Sequence, residues 1–594
     1  MKPRQLSWRW LLLGLAPFLL ALALLPRLIG DPSELSHRIA SALSDWTGGK
    51  VSFTGPLRVG YFPDVSVRGA LVIRDASRLP LVRSVSTEQA KITIDLAQLL
   101  LGRLRIHTLR LVQPRIALSS EAAAGQTPHA LVVNLFSAGP VGALHIRDGS
   151  IEIETAAGPE IIDNVHAHFD TSGAQTEGGA VSGSGSFDFR FEAVRFSFDS
   201  GALTADSTSV PVSVVLTSAP GSASMKGTAS FEDGLQLDGS MQTKIADARL
   251  FLRWLGVDLP QGQSLKDFSA SGSMHTNGAT ITIDEASFQL DGNKAVGLLA
   301  VTAGAKPRIE GTLDFERLVV DPYLLPVSSD EVTASLPETK SSFISDWILL
   351  RSLDADLRIS VDAMRVGTFM LGKGGFTITA KEGALAAEIG EIEFCGGTAA
   401  GRLGIKSEQP SGVSAIANLT DITLKPCLDP LGLGIPIAGI GTLKADLGGE
   451  GNDLAALKHG LIGEIKFTAQ RGSLPVDFGR LTGAKAPIES ESWNANQATQ
   501  FDELNAECRL AASVVWCRMF NMQTRQDVIS GAGDLDLGRS TLDWKLSVNR
   551  TEANADNEVP KVSIRGAMSQ PVIRRTDRST LGEDASQASP VQRP

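Results

Sequence analysis

Residues 187–199 read FDFRFEAVRFSFD. Phe187, Phe189 and Phe191 fall on alternate positions, so an extended chain places them on one face. Val194, Phe196 and Phe198 also alternate, with the opposite parity, and so share another face. A bulge or tight turn around Glu192-Ala193 accounts for the change, because a one-residue slip moves a whole apolar set across the sheet. Period-2 alternation of this kind predicts half-buried β-strands. Phe187, Phe189, Phe191, Phe196 and Phe198 are therefore the candidate residues for contact with an apolar ligand. An ordinary sandwich core has the same pattern.

The alternation continues in both directions. KITIDL (91–96) and RLRIHTLRL (103–111) read as strands flanking a short helical turn, and similar runs occupy 278–291, 357–380 and 462–470. Helical patterns interrupt them at 246–256, 342–353 and 453–459. At about 12 residues per strand and turn, the exported part holds about 45 strands. VSSDEVTASLPETKSS (327–342) is polar and aperiodic, and reads as a loop between a β-rich region at 30–326 and a second at 343–550. Residues 551–594 read as a terminal strand and then, from about Gln570, a disordered tail. The predicted fold class is mainly β with a few short helices: an elongated antiparallel sheet, forming a groove or a sandwich, behind an N-terminal transmembrane helix. The apolar side of such a sheet must meet a second sheet, close on itself, or face something apolar that is not protein.

Composition agrees. The chain has 594 residues, more than one compact core accommodates, with 59 Gly, only 2 Tyr and 20% charged residues. Its net charge of −11 argues against a nucleic-acid partner, which needs clustered Lys and Arg. Residues 10–25, WLLLGLAPFLLALALL, are uncharged. Their nine Leu and one Phe favour membrane insertion by about 5 kcal/mol, and extending to residue 29 gives a span long enough to cross. Lys2, Arg4 and Arg9 precede it, so residues 1–9 stay in the cytoplasm and the rest is exported. A cleaved signal peptide is the competing reading, but its Ala21-Leu22-Ala23 match lies inside the apolar run rather than after it. Four cysteines occupy the C-terminal third. CRLAASVVWC (508–517) reads as two strands turning near Ala512-Ser513, which sets Cys508 across from Cys517 at a separation a disulfide closes. Cys395 and Cys427 are left as the second pair. The alternative is buried thiols. An anchored, exported chain with paired cysteines fits a bacterial periplasm.

After the span, DPSELSHRIASALSDW (31–46) predicts a helix: Asp31 caps, Pro32 fits the first position, and Leu35, Ile39, Ala42, Leu43 and Trp46 form one stripe. Thr47, Gly48, Val51, Gly55, Leu57, Val59 and Phe62-Pro63 follow. This order of anchor, short helix and spaced Gly and apolar residues resembles the N-terminal signature of the AsmA family, Gram-negative envelope proteins related to TamB. Residues 99–118, 352–405, 449–475 and 529–548 are similar to later parts of that family, in the same order. Cys395 departs from the pattern, which has an aromatic or aliphatic residue there. The resemblance implies an inner-membrane-anchored periplasmic protein with a groove-like β body, moving phospholipid toward the outer membrane or assisting outer-membrane assembly. Its implied partners are phospholipid acyl chains, the inner membrane and outer-membrane assembly factors. The alternative is a periplasmic scaffold that supports outer-membrane protein assembly without lipid.

No enzyme, cofactor or metal is expected. GTFMLGKG (367–374) nearly matches a phosphate-binding loop, but Gly374 stands where Ser or Thr is required, and strand patterns surround it. His166 and His168 share a strand face and would need a third ligand such as Asp163 or Asp170 to hold a metal; exposed strand histidines are the commoner explanation. Trp493 and Trp516 read as core or interface residues.

Overall fold

The computed structural model describes residues 32–576 except 62–63, 78–81, 96–97, 100, 102, 119–140, 156–157, 172–179, 202–207, 231–234, 257–263, 305, 324–352, 407–411, 433, 452–455, 457–458, 483–490, 495 and 551–558. Among the described residues the chain is mainly β, with thirty strands and four α-helices. Many strands run longer than ten residues, as in Phe369–Lys381 and Ile462–Leu474. Two compact units divide the chain, the first made of residues up to 258 with 265–291, the second of 292 onward with 259–264. The expected span at 10–29 and the expected polar loop at 327–342 lie outside the described residues. Among the described residues no helix is long and apolar enough to cross a membrane.

The first helix, α1 (Pro32–Thr47), follows from its spacing. Leu35, Ile39 and Leu43 recur every four residues and are fully buried against Val65, Val67, Leu71, Ile92 and Ile106. Glu34 and Arg38 pair on the solvent side at 2.7 Å. At its end the Thr47 hydroxyl donates to the Leu43 carbonyl at 2.8 Å.

Among the described residues the sheet of the first unit has fourteen strands, from Lys50–Gly60 to Thr280–Leu290, and nearly all neighbours are antiparallel and consecutive. The exception is one strand broken in two. Ile106–Val112 and Arg115–Leu118 both pair antiparallel with Val82–Ile94 and both pair parallel with Val141–Thr155. Pro114 lacks the ladder N–H and Gln113 has φ 49°, which explains the break. The second unit repeats the device. Asp354–Val361 and Met364–Val366 form a broken strand that pairs parallel with Arg308–Val319 and antiparallel with Phe369–Lys381. From there to Gln570–Arg575 every ladder is antiparallel. Its strands number sixteen.

Three further helices are short: α2 (Ala248–Trp254), α3 (Leu424–Leu428) and α4 (Phe478–Thr482). The first was legible at 246–256. The other two are too short to show a helical period. The helical pattern at 342–353 lies almost wholly, and that at 453–459 mostly, outside the described residues. One expectation is corrected at the C-terminus: Gln570–Arg575 is not tail but a strand, paired with Lys561–Ala567, and Ile573 is completely buried.

A second correction concerns the quoted stretch. The turn falls at Arg190-Phe191, both at positive φ (48° and 70°), between Ser182–Phe189 and Glu192–Ser200. A two-residue turn of this hand returns the chain in register, so Phe187 faces Val194 across the hairpin and Gly185 faces Phe196. The phenylalanines expected on two faces therefore share one, and Phe191 leaves the set to stand fully exposed on the turn.

Two stability changes follow, both read from denaturant unfolding. Ile39→Ala removes the centre of the α1 contact and costs about 3 kcal/mol. Phe191→Gly relieves a left-handed conformation that a side chain opposes and buries nothing less, so it stabilises by about 1 kcal/mol.

Candidate functional site

Cross-strand registers decide which side chains share a face, because directly opposed residues point the same way. In the first unit Phe198 faces Val214, which faces Met225, which faces Met241. The next row on that face runs Phe196, Leu216, Ala223, Thr243, Ala270 and Phe288. One residue along, on the opposite face, the row is Asp199, Ser213, Lys226, Ser240, Ser273 and Asp284. One face is thus an apolar wall and the other is polar.

The second unit carries the pattern further. A single row passes from Gly297 through Leu313, Ile359, Phe376, Ile389, Gly401, Ala417, Ala445 and Ile465 to Cys508 and Cys517, then through Gly533, Trp544 and Ile564 to Ile573. The adjacent row on the other face is largely charged. It contains the opposed pairs Glu388–Arg402, Glu464–Arg509 (3.9 Å) and Asp543–Arg565 (3.0 Å).

Burial varies systematically along each wall. In the first unit Phe187, Phe196, Phe198, Val212 and Val214 are half-buried and Leu216 is 41% exposed, while Met225, Ala270 and Phe288 on the same rows are buried. In the second unit Leu313, Ile359, Phe376 and Ile389 are half-buried, but the same row ends at Ile573 with no exposure. There α3 and α4 close the face: Leu424, Cys427, Phe478 and Leu481 join Leu504, Met522 and Ile529 in one core.

Both cysteine pairs are joined. Cys508 bonds Cys517 directly across the hairpin that turns at Ala512-Ser513, on the apolar face. Cys395 bonds Cys427 with Cα atoms 5.8 Å apart, which ties α3 to the turn between Ala384–Phe394 and Gly397–Lys406.

The remaining candidates disperse. His168 stacks on His145 with centroids 4.3 Å apart, while His166 Nε2 lies 3.4 Å from Asp148. Burial, His168 and Arg110 hold the His145 imidazole below its ordinary pKa. Among the described residues no three metal-ligating side chains converge. Gly367 occupies a hairpin turn that leads into the strand Phe369–Lys381, so no helix follows the phosphate-loop-like sequence. Trp493 donates its indole N–H to the Met568 carbonyl at 2.7 Å within the closed core, and Trp516 stands exposed on the charged face opposite Arg509. A cleft of about 510 Å³ in the second unit is lined mainly by the polar face, including Thr312, Arg358, Ser360 and Thr377, with the Glu388–Arg402 pair across it. Sequence reasoning missed α3 and α4 as closures. It also missed the aromatic contact between α2 and Phe189, which depends on residues sixty-five apart.

No family model matches the chain, and no curated protein matches it significantly.

Two outcomes test this geometry. Closing a 32-residue separation, the Cys395–Cys427 bond stabilises by about 3.7 kcal/mol in the chain-entropy account, and Cys427→Ala forfeits it in unfolding measurements. Asp534, opposed by Asp543 and flanked by Asp536, has its carboxyl raised above the ordinary value of 3.8, first by burial and then by those charges. A raised native value means ionisation disfavours the fold. The penalty is present at neutral pH and disappears as pH falls through the native value toward 3.8. Asp534→Asn therefore raises the melting temperature at pH 7 and leaves it unchanged near pH 3.

Proposed function

We propose that this chain is a membrane-tethered shield for phospholipid acyl chains, serving phospholipid transport to, or assembly of, the outer membrane. The observation that carries the reading is the second unit's apolar row, half-buried on strand after strand from Leu313 through Ile465 and fully buried only where it ends at Ile573. Each methylene withdrawn from water is worth about 0.8 kcal/mol. A wall without large polar interruptions lets a chain of many methylenes shift from strand to strand at nearly constant energy. The mechanism is passive, needs no catalytic group, and takes direction and energy from elsewhere.

The tether is the apolar run at 10–29, with the bulk of the chain in the periplasm, where the two disulfides persist. The resemblance to the AsmA family points to the same place and task. The elongated, groove-like character of the β body belongs to this reading too.

Photo-reactive residues in the full chain, expressed in cells, test it. Adjacent positions on one strand serve as each other's control, because they point to opposite faces. Capture of phospholipid is expected at Val214 and Ile389 and absent at Ser213 and Glu388. A charge on the wall, Val214→Glu, lowers capture at Met241 about tenfold. Equal capture on both faces, or none on either, overturns the reading in favour of a lipid-free scaffold for outer-membrane protein assembly.

A further inference from the structure

We propose that a row of cationic side chains on the polar face of the first unit docks on the anionic phospholipid headgroups of the membrane that holds the tether; the proposal rests on the tether in the reading above, not on its acyl-chain wall. The registers define the row. Arg58 is opposed by Arg68, Arg68 by Lys91, Lys91 by Arg110, Arg110 by His145, and His145 by His168. Six neighbouring strands thus place a basic side chain at the same level, over about 24 Å of sheet. The next two positions, Ser184 and Ser197, are neutral.

The row lies on the face turned away from α1. In the strand Val65–Arg74, Val67 and Leu71 are buried in the core that α1 seals, while Arg68 between them is exposed. Arg58, Arg110 and His168 are exposed as well, and Lys91 and His145 are half-buried. Lys50 and Arg74 form a further like-charged pair between the same first two strands. Residues 50–155 hold 12 Lys and Arg against 8 Asp and Glu, in a chain whose net charge is −11.

Like charges directly opposed destabilise a sheet, and opposite charges stabilise it. The second unit's polar face follows that rule with Glu388–Arg402, Glu464–Arg509 and Asp543–Arg565. The first strands break it. Among the described residues no carboxylate pairs with Arg58, Arg68, Lys91 or Arg110. Nearby acids are taken: Asp148 lies 3.4 Å from His166, and Glu154 2.8 Å from Arg83. Glu88 and Glu152 are opposed to none of the six. An external anion relieves such a row. The six cations stand in a line and do not converge, so they suit a surface of many phosphates better than one bound ion. The tether joins these strands to the bilayer through α1, which makes headgroups the anionic surface held at highest local concentration.

The test uses the full chain in nanodiscs of phosphatidylcholine, alone or mixed with phosphatidylglycerol. A fluorophore sits at Gln89, exposed one row from Lys91 on the same face, and a quencher on the headgroups. Quenching is expected in the mixed discs, absent from the neutral ones, and lost at high salt. Arg68→Gln, Lys91→Gln and Arg110→Gln each lower the ratio of docked to free chain about fivefold. Lys91→Arg retains it, and Arg83→Gln, which removes a cation already paired with Glu154, leaves it unchanged. Melting temperatures of the three Gln variants match or exceed the parent's, because each removes a like-charge contact, and this separates lost docking from lost folding. Equal quenching in both discs, or quenching unchanged in all three Gln variants, overturns the docking row and spares the tether. So does release by inorganic phosphate at an ionic strength where chloride has no effect, which makes the row a site for free phosphate. Release by poly-glutamate under the same condition overturns it in favour of an acidic protein. A chain that enters neither disc has no tether, and the row's role falls with it.

Discussion

Everything in this molecule depends on parity. A strand shows alternate residues to opposite faces, so a wall of one chemistry survives from strand to strand only if every connection returns the chain without a one-residue slip. Two-residue turns with both residues at positive φ do this, and the chain uses them at Arg190-Phe191, Glu382-Gly383, Cys395-Gly396 and Ala512-Ser513. Bulges do it within strands. Ile389 and Ile392 lie three apart yet both face inward, because the register shifts between them; Leu419 and Ile422, and Cys517 and Phe520, repeat the device. The extra residue bends the strand as well as correcting its phase.

A continuous apolar face is a liability unless something covers it. The chain covers part of it. α1 seals the start of the first unit with Leu35, Ile39 and Leu43, and α3 and α4 seal the end of the second. Those sealed regions hold most of the large fully buried side chains, although Ile392 and Val361 are buried outside them. The half-bare stretches contribute less to folding and are held in place by ladder hydrogen bonds and by ion pairs on the outer face. That division lets each unit keep half-buried stretches without losing its fold.

The same parity argument explains what the sequence disclosed. Alternation at 91–96, 278–291 and 462–470 announced strands, and the four-residue stripe announced α1. Cys508 and Cys517 were placed correctly because equal arms of four residues flank Ala512-Ser513. Arg190-Phe191 was not recognised as a turn, since the favoured pairs are Asn-Gly and Asp-Gly, so Phe191 was assigned to a face it does not occupy. Pairs such as Ile389 and Ile392 look out of phase until the bulge between them is seen. The closure of one end and the openness of the other lie beyond periodicity altogether: Phe376 and Ile564 sit on the same row and in equally apolar strands, but only the second has a helix-bearing core against it.

On the function proposed, an acyl chain would meet no single binding site, and this follows from the rows. Runs of large residues such as Phe376 and Ile389 give way to runs of small ones such as Gly401 and Ala417, so the surface is uneven in shape but uniform in chemistry. A ligand recognised by shape and polar contacts would need convergent donors and acceptors, and those lie on the opposite face. A ligand recognised only by its methylenes needs length and continuity, which the rows supply. Discrimination among lipids, on this reading, rests with the rims, where charged side chains such as Arg190 and Glu160 stand beside the apolar face and a headgroup would pass.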